Sequence, residues 1–176
     1  MGKYDLDSAI RKVKDFPKEG ILFYDITGIL AKPKAFNYCI DEFYNLYKDE
    51  EIDGIVSLEA RGFIFASPLA AKMNVPLILA RKKNKLPGKV YEKEFDLEYG
   101  VDTICIQHLD IKKGDKILII DDLLATGGTI DAARAIIEEN GAIVKAIGGV
   151  IGLPFLGYEK VLEKYKVDVL LTYDGE

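Results

Sequence analysis

Lys116-Ile117-Leu118-Ile119-Ile120-Asp121-Asp122-Leu123-Leu124-Ala125-Thr126-Gly127-Gly128-Thr129 is the stretch that decides the fold. Its four consecutive apolar residues, Ile117 to Ile120, are bulky, too few for a helix and uninterrupted by polar positions. That is the pattern of a strand covered on both faces of a parallel sheet. From Ile130 to Glu139 the apolar positions Ala133, Ile136 and Ile137 recur at helical spacing, and Gly141 ends the pattern. The intervening loop therefore sits at a helix N-terminus. There the unpaired backbone N–H groups point outward and the helix dipole favours an anion. Gly127 and Gly128 let a phosphate approach the main chain with no Cβ in the way, and Thr126 and Thr129 add hydroxyl donors. Asp121 and Asp122 repel phosphate, so their partner is a pair of vicinal hydroxyls or a divalent cation. Ribose hydroxyls fit both acids. An acidic strand end followed by an ordinary Thr-Gly-Gly turn explains each feature singly, but not their coincidence. The run lacks the Gly-Lys-Ser/Thr end of a Walker loop and the Gly-x-Gly-x-x-Gly of a dinucleotide site.

The rest of the chain repeats the alternation. At 176 residues, 49% hydrophobic and 30% charged, it is expected to form one soluble domain with a sizeable core. No apolar stretch approaches the roughly 20 residues that span a bilayer, and Met1 to Lys14 is charged and amphipathic, so no membrane partner and a cytoplasmic location are expected. Cys39 and Cys105 have neither disulfide-framework nor metal-site spacing and read as core residues. A net charge of −5 argues against nucleic acid as the partner.

A helix is expected over Asp5 to Lys14 on the spacing of Leu6, Ile10 and Val13, ending at Phe16-Pro17, with a loop beyond. Ala35 to Tyr47 places Phe36, Cys39, Ile40, Phe43 and Tyr47 on one helical face. Gly54 to Ser57 reads as a buried strand, Gly62 to Met73 as a helix despite Pro68, and Val75 to Leu79 as a strand. Lys89 to Phe95 and Val101 to Gln107 read as a pair of extended segments. Ala142 to Ile151 is a strand, Tyr158 to Tyr165 a helix, and Val167 to Thr172 the last strand. Such alternation predicts an α/β fold with ligands beyond the carboxyl ends of parallel strands.

Arg81, Lys82, Lys83, Lys85, Lys89 and Lys93 are six cations in an otherwise acidic chain. They form either a solvated basic face or a site for a polyanion. Asp96-Leu97-Glu98-Tyr99-Gly100 joins two extended segments and reads as a loop able to move.

Together these stretches resemble the type I phosphoribosyltransferases, and among them the members that use adenine. The resemblance rests on Asp15-Phe16-Pro17-Lys18-Glu19-Gly20-Ile21-Leu22-Phe23, Glu59-Ala60-Arg61-Gly62-Phe63, Lys85-Leu86-Pro87-Gly88, Leu97-Glu98-Tyr99-Gly100 and the Lys116 to Thr129 run, in that order. It implies a central, mostly parallel sheet flanked by helices, with a core over about 35–172 and a small hood from about 1–34 and C-terminal segments. It also implies Mg²⁺-assisted transfer of phosphoribose from 5-phosphoribosyl 1-pyrophosphate to adenine, giving AMP and pyrophosphate, by a homodimer. Mg²⁺ is expected to bind mainly through the substrate.

The resemblance assigns the 5-phosphate and ribose to Asp121, Asp122, Ala125, Thr126, Gly127, Gly128 and Thr129. It assigns pyrophosphate to Arg61, Arg81, Lys82, Lys85 and Tyr99, the base to Leu22, Phe23 and Tyr24, and proton transfer at the purine to Glu98. Some relatives carry a non-proline cis peptide around Arg61. The chain departs from its relatives at Tyr24, where arginine is usual, at Gly152, where an acid is common, and at Tyr158, where arginine is common. The last two are expected in the hood or at a dimer contact. Two alternatives remain: the same transfer to hypoxanthine or guanine, and a non-catalytic regulator that senses phosphoribosyl pyrophosphate.

Overall fold

The computed structural model describes residues 4–97 and 100–175. The first elements are a 3-10 turn (Asp7–Ala9), β1 (Arg11–Lys14), β2 (Leu22–Asp25), α1 (Thr27–Leu30), α2 (Pro33–Tyr47), β3 (Gly54–Leu58), α3 (Gly62–Met73) and β4 (Leu77–Lys82). There follow β5 (Val90–Leu97), β6 (Gly100–Gln107), β7 (Lys116–Leu124), α4 (Gly128–Glu139), β8 (Ile143–Gly152), a 3-10 turn (Pro154–Leu156), α5 (Tyr158–Val161) and β9 (Val167–Thr172). Seven strands form one sheet in the order β5-β6-β4-β3-β7-β8-β9, and β1 and β2 form a separate hairpin. Strands β4, β3, β7, β8 and β9 run parallel, while β6 and β5 lie antiparallel along one edge.

The apolar run in β7 is continuous because both faces of the sheet are covered. Ile117 and Ile119 pack with Ile130, Ala133, Ile136 and Ile137 of α4. Leu118 and Ile120 pack with Phe65 and Leu69 of α3 and Phe43 of α2. This is the α/β architecture of a mostly parallel sheet between helices. Both cysteines are buried. Among the described residues no helix is long and apolar enough to cross a membrane.

Three expectations are corrected. Asp5 to Lys14 is not a helix: after the 3-10 turn the chain is extended, and Arg11, Lys12, Val13 and Lys14 pair with Asp25, Tyr24, Phe23 and Leu22. Ten residues make only a marginal helix, and Val13 stays 40% exposed, so pairing with β2 satisfies the backbone better. The Val75 to Leu79 strand is displaced to Leu77–Lys82, because Ala80, Arg81 and Lys82 pair with Ile106, Cys105 and Ile104 of β6. The Tyr158 to Tyr165 helix is a single turn, since the chain must return to β9, where the Lys166 carbonyl accepts from Ile147 N–H. Gly152 ends β8, in register with Thr172 of β9, and Tyr158 is buried.

Candidate active site

The functional residues gather where β3, β4 and β7 end. Ser57 Oγ donates to the Ile120 carbonyl at 2.8 Å, tying β3 to β7 immediately before the acids. Next to it α3 begins at Gly62. A Cβ there would stand 2.7 Å from Asp121 Oδ1 and 2.8 Å from Ser57 Oγ, so this close approach of helix to strand requires glycine.

Asp121 Oδ1 accepts from the Asp122 backbone N–H at 2.9 Å. Burial, and then the charge of Asp122, push the Asp121 carboxyl well above the usual carboxylate range. Burial also raises Asp122, against the opposing pull of Arg61. Asp122 Oδ2 lies 3.0 Å from Arg61 Nε, yet this buried oxygen accepts no hydrogen bond among the described residues. The guanidinium thus balances the charge without aligning a donor, leaving an acceptor open to another ligand.

Arg61 also joins the acids to the N-terminal hairpin. Its Cζ lies 5.7 Å from the Phe23 ring centroid, and the Phe23 ring meets Phe16 edge-on at 5.0 Å. Leu22 is half-buried beside it in β2, opposite Lys14. The Tyr24 side chain is not in this cluster. Successive strand residues point to opposite faces, and Tyr24 is buried against Tyr173, with centroids 4.1 Å apart and ring planes 18° apart.

Two of the expected pyrophosphate cations are held by acids that sequence reasoning assigned no role. Arg81 Nε lies 2.6 Å from Glu59 Oε2, and its Nη1 donates to the Lys85 carbonyl at 3.1 Å. Lys82 Nζ lies 2.8 Å from Asp102, which it holds below the usual carboxylate range. Lys85 is exposed and has no ion-pair partner among the described residues. Glu59 belongs to the Glu59-Ala60-Arg61-Gly62 stretch, so proximity to Arg61 was a usable signal. Asp102 gave none, because only the antiparallel β4–β6 pairing brings it to Lys82. The Glu59–Ala60 peptide is cis. Glu98 and Tyr99 lie outside the described residues.

The phosphate loop stands at the N-terminus of α4. Gly127 precedes the helix with φ 85°, and no side chain caps it. The first helical N–H groups are therefore free to face an anion. The loop is braced from behind: Leu153 N–H donates to the Leu124 carbonyl at 2.9 Å, and Tyr158 N–H to the Ala125 carbonyl at 3.1 Å. Thr126 is exposed and Thr129 half-buried.

The two departures at Gly152 and Tyr158 meet at this brace. A Cβ on Gly152 would lie 2.7 Å from the hydroxyl of the buried Tyr158. The tyrosine ring thus fills the space that a side chain at 152 would need. Gly152→Ala is expected to cost about 1–3 kcal/mol by overpacking, lowering Tm by about 2–4 °C per kcal/mol. Adding Tyr158→Phe, which removes the hydroxyl, should restore most of the loss in a thermal melt. An unchanged Tm for Gly152→Ala would show that the ring moves aside freely.

Residues 25–151 match the phosphoribosyl transferase domain family. The chain is 56% identical over 171 residues to an adenine phosphoribosyltransferase of Treponema denticola, covering 97% of this chain and 90% of that one. In structure it is similar to the adenine phosphoribosyltransferase of Thermoanaerobacter pseudethanolicus, with a TM-score of 0.92, 40% identity and coverage of 96% and 98%. It is also similar to the Saccharomyces cerevisiae enzyme, solved with an imino-altritol bisphosphate and adenine, with a TM-score of 0.90, 36% identity and coverage of 95% and 97%.

Proposed function

The chain belongs to the phosphoribosyltransferase family, and we propose from that premise how its site transfers phosphoribose from 5-phosphoribosyl 1-pyrophosphate to adenine, giving AMP and pyrophosphate. The observation that carries this reading is the position of Arg61. It touches both the Asp122 carboxylate and the Phe23 ring, beside the open helix N-terminus that follows β7.

The 5-phosphate rests on the main chain of Ala125 to Thr129, with Thr126 and Thr129 as hydroxyl donors. The ribose hydroxyls donate to Asp121 and Asp122, using the open Asp122 oxygen. Arg61, Arg81, Lys82, Lys85 and Tyr99 face the pyrophosphate. Phe23 stacks on the adenine, and the main chain of Leu22 reads its edge. The N9 lone pair forms the bond to C1 of the ribose as the C1–oxygen bond breaks and its electron pair leaves with pyrophosphate. Positive charge that develops at C1 is stabilised by the carboxylates, while fixed cations receive the leaving charge. Glu98 takes the base's surplus proton at N7.

Among the described residues no three His, Cys, Asp or Glu side chains form a cage for a metal. An acidic pair with one open oxygen suits an ion such as Mg²⁺, which keeps water and substrate oxygens as most of its ligands. When bound, Mg²⁺ supplies further neutralisation of the leaving pyrophosphate.

The resemblance also supports reading residues 1–176 as one catalytic unit, with a hood from about 1–34 and C-terminal segments, working as a homodimer in the cytoplasm. Hypoxanthine reverses the donor and acceptor order of adenine at N1 and C6. A main-chain reader leaves unpaired polar groups against it and rejects it by roughly two orders of magnitude or more. The test is a competition of adenine, hypoxanthine and guanine for limiting phosphoribosyl pyrophosphate with Mg²⁺. Adenine should be consumed first by that margin. Equal consumption would overturn the base assignment, and product from none would favour the regulator.

A further inference from the structure

The face of β2 opposite Phe23 carries a cluster that joins the hairpin to the C-terminal end of the chain. Tyr24 stacks on Tyr173 and its hydroxyl donates to the Gly175 carbonyl at 3.3 Å. Tyr173 is fixed in turn to the main sheet, where its N–H donates to the Gly152 carbonyl at 3.0 Å. Its hydroxyl donates to Asp7 Oδ1 at 2.5 Å. Lys12 Nζ closes the set, 2.8 Å from Asp7 and 4.9 Å from the Tyr173 ring centroid. Lys12 lies opposite Tyr24 in the hairpin register. The hairpin shares no ladder with the seven-stranded sheet, so these contacts bridge the two from behind β2. The tyrosine at 24 is what forms the stack.

We propose that the Tyr24–Tyr173 stack, braced by Asp7 and Lys12, is a positioning element for the base subsite: it sets how far Phe23 stands from Arg61 and so fixes the slot for the purine. The proposal rests on the reading of Phe23 as the base platform. Tyr173 touches no substrate in this scheme and acts through the backbone of β2. The 5-phosphate and ribose are held on β7 and α4, so breaking the stack weakens the base's share of binding and spares the sugar phosphate's.

The test compares Kd for AMP and for ribose 5-phosphate, measured by calorimetry on the full chain. Wild type should bind AMP more tightly than ribose 5-phosphate. Tyr173→Leu should shrink that ratio about three- to tenfold, the size of an aromatic pair's contribution, with ribose 5-phosphate within about twofold of wild type. Tyr173→Phe, which keeps the stack but loses the hydroxyl's bond to Asp7, should shift the ratio by no more than about twofold. Should Tyr173→Leu fail to fold, Asp7→Ala carries the test. Asp7 is half-exposed, and losing its bond should shift the ratio in the same direction by about twofold. An unchanged ratio in folded Tyr173→Leu, or in Asp7→Ala where it stands in, or equal weakening of both ligands, would overturn the proposal. No wild-type preference for AMP would instead sink the base platform, and the proposal with it.

Discussion

Replacing Asp121 and Asp122 together by asparagine is expected to lower kcat/KM by roughly 10²- to 10⁴-fold in steady-state assays. Each carboxylate is read as accepting a hydrogen bond from a ribose hydroxyl, and such charged bonds contribute about 1.5–3 kcal/mol each. At about 1.4 kcal/mol per tenfold, two of them reach that range, with the sum reduced by coupling between neighbours. Asp121→Asn alone should also raise the Tm of the ligand-free protein at neutral pH. Burial and the adjacent charge raise the Asp121 carboxyl. Between the ordinary carboxylate range and that raised value the native state binds more protons than the unfolded state. Stability therefore falls as pH rises through that window. Asparagine removes the cost above the window and changes nothing below about pH 3.9, where both states are protonated. A variant with wild-type kcat/KM would remove the acids from the reaction, and an unaltered Tm at neutral pH would show that the site tolerates the charge.

Glu98→Ala is expected to lower kcat by roughly 10²- to 10⁴-fold, the usual contribution of a positioned general acid or base. Glu98 lies outside the described residues, and its role is what the resemblance implies. Strands β5 and β6 pair from Val90 with Gln107 to Leu97 with Gly100. Asp102 of β6 holds Lys82. The β5–β6 pair is thereby joined to the cationic stretch read as the pyrophosphate site. Single-turnover measurements should show slow chemistry with phosphoribosyl pyrophosphate affinity within about twofold of wild type. An unchanged rate of the chemical step would take Glu98 out of catalysis.

The elements that could be read from sequence were those whose residues report burial locally. Ile117 to Ile120 are apolar without a break because α3 and α4 cover opposite faces of β7. The spacing of Cys39, Ile40, Phe43 and Tyr47 follows the buried face of α2, with Phe36 half-buried beside it. Arg11 to Lys14 misled for the converse reason. The strand is exposed on both faces, so its side chains record nothing of the ladder to β2, and the spacing of Leu6, Ile10 and Val13 imitated a helix. In the site, the strand, acids and glycine loop were contiguous and legible. The pairings Arg81–Glu59, Lys82–Asp102 and Tyr24–Tyr173 join residues remote in the chain, and no local pattern encodes them. The coupling of Gly152 to Tyr158 was hidden likewise, since two separate departures from the family become one exchange of volume only when β8 and α5 meet.

Product analysis tests the central claim most directly. The protein is incubated with Mg²⁺, phosphoribosyl pyrophosphate and adenine, and AMP and pyrophosphate are quantified together. Equimolar AMP and pyrophosphate from wild type, reduced at least a hundredfold in the double asparagine variant, is the expected result. Folded wild-type protein that binds phosphoribosyl pyrophosphate yet forms no AMP would contradict it.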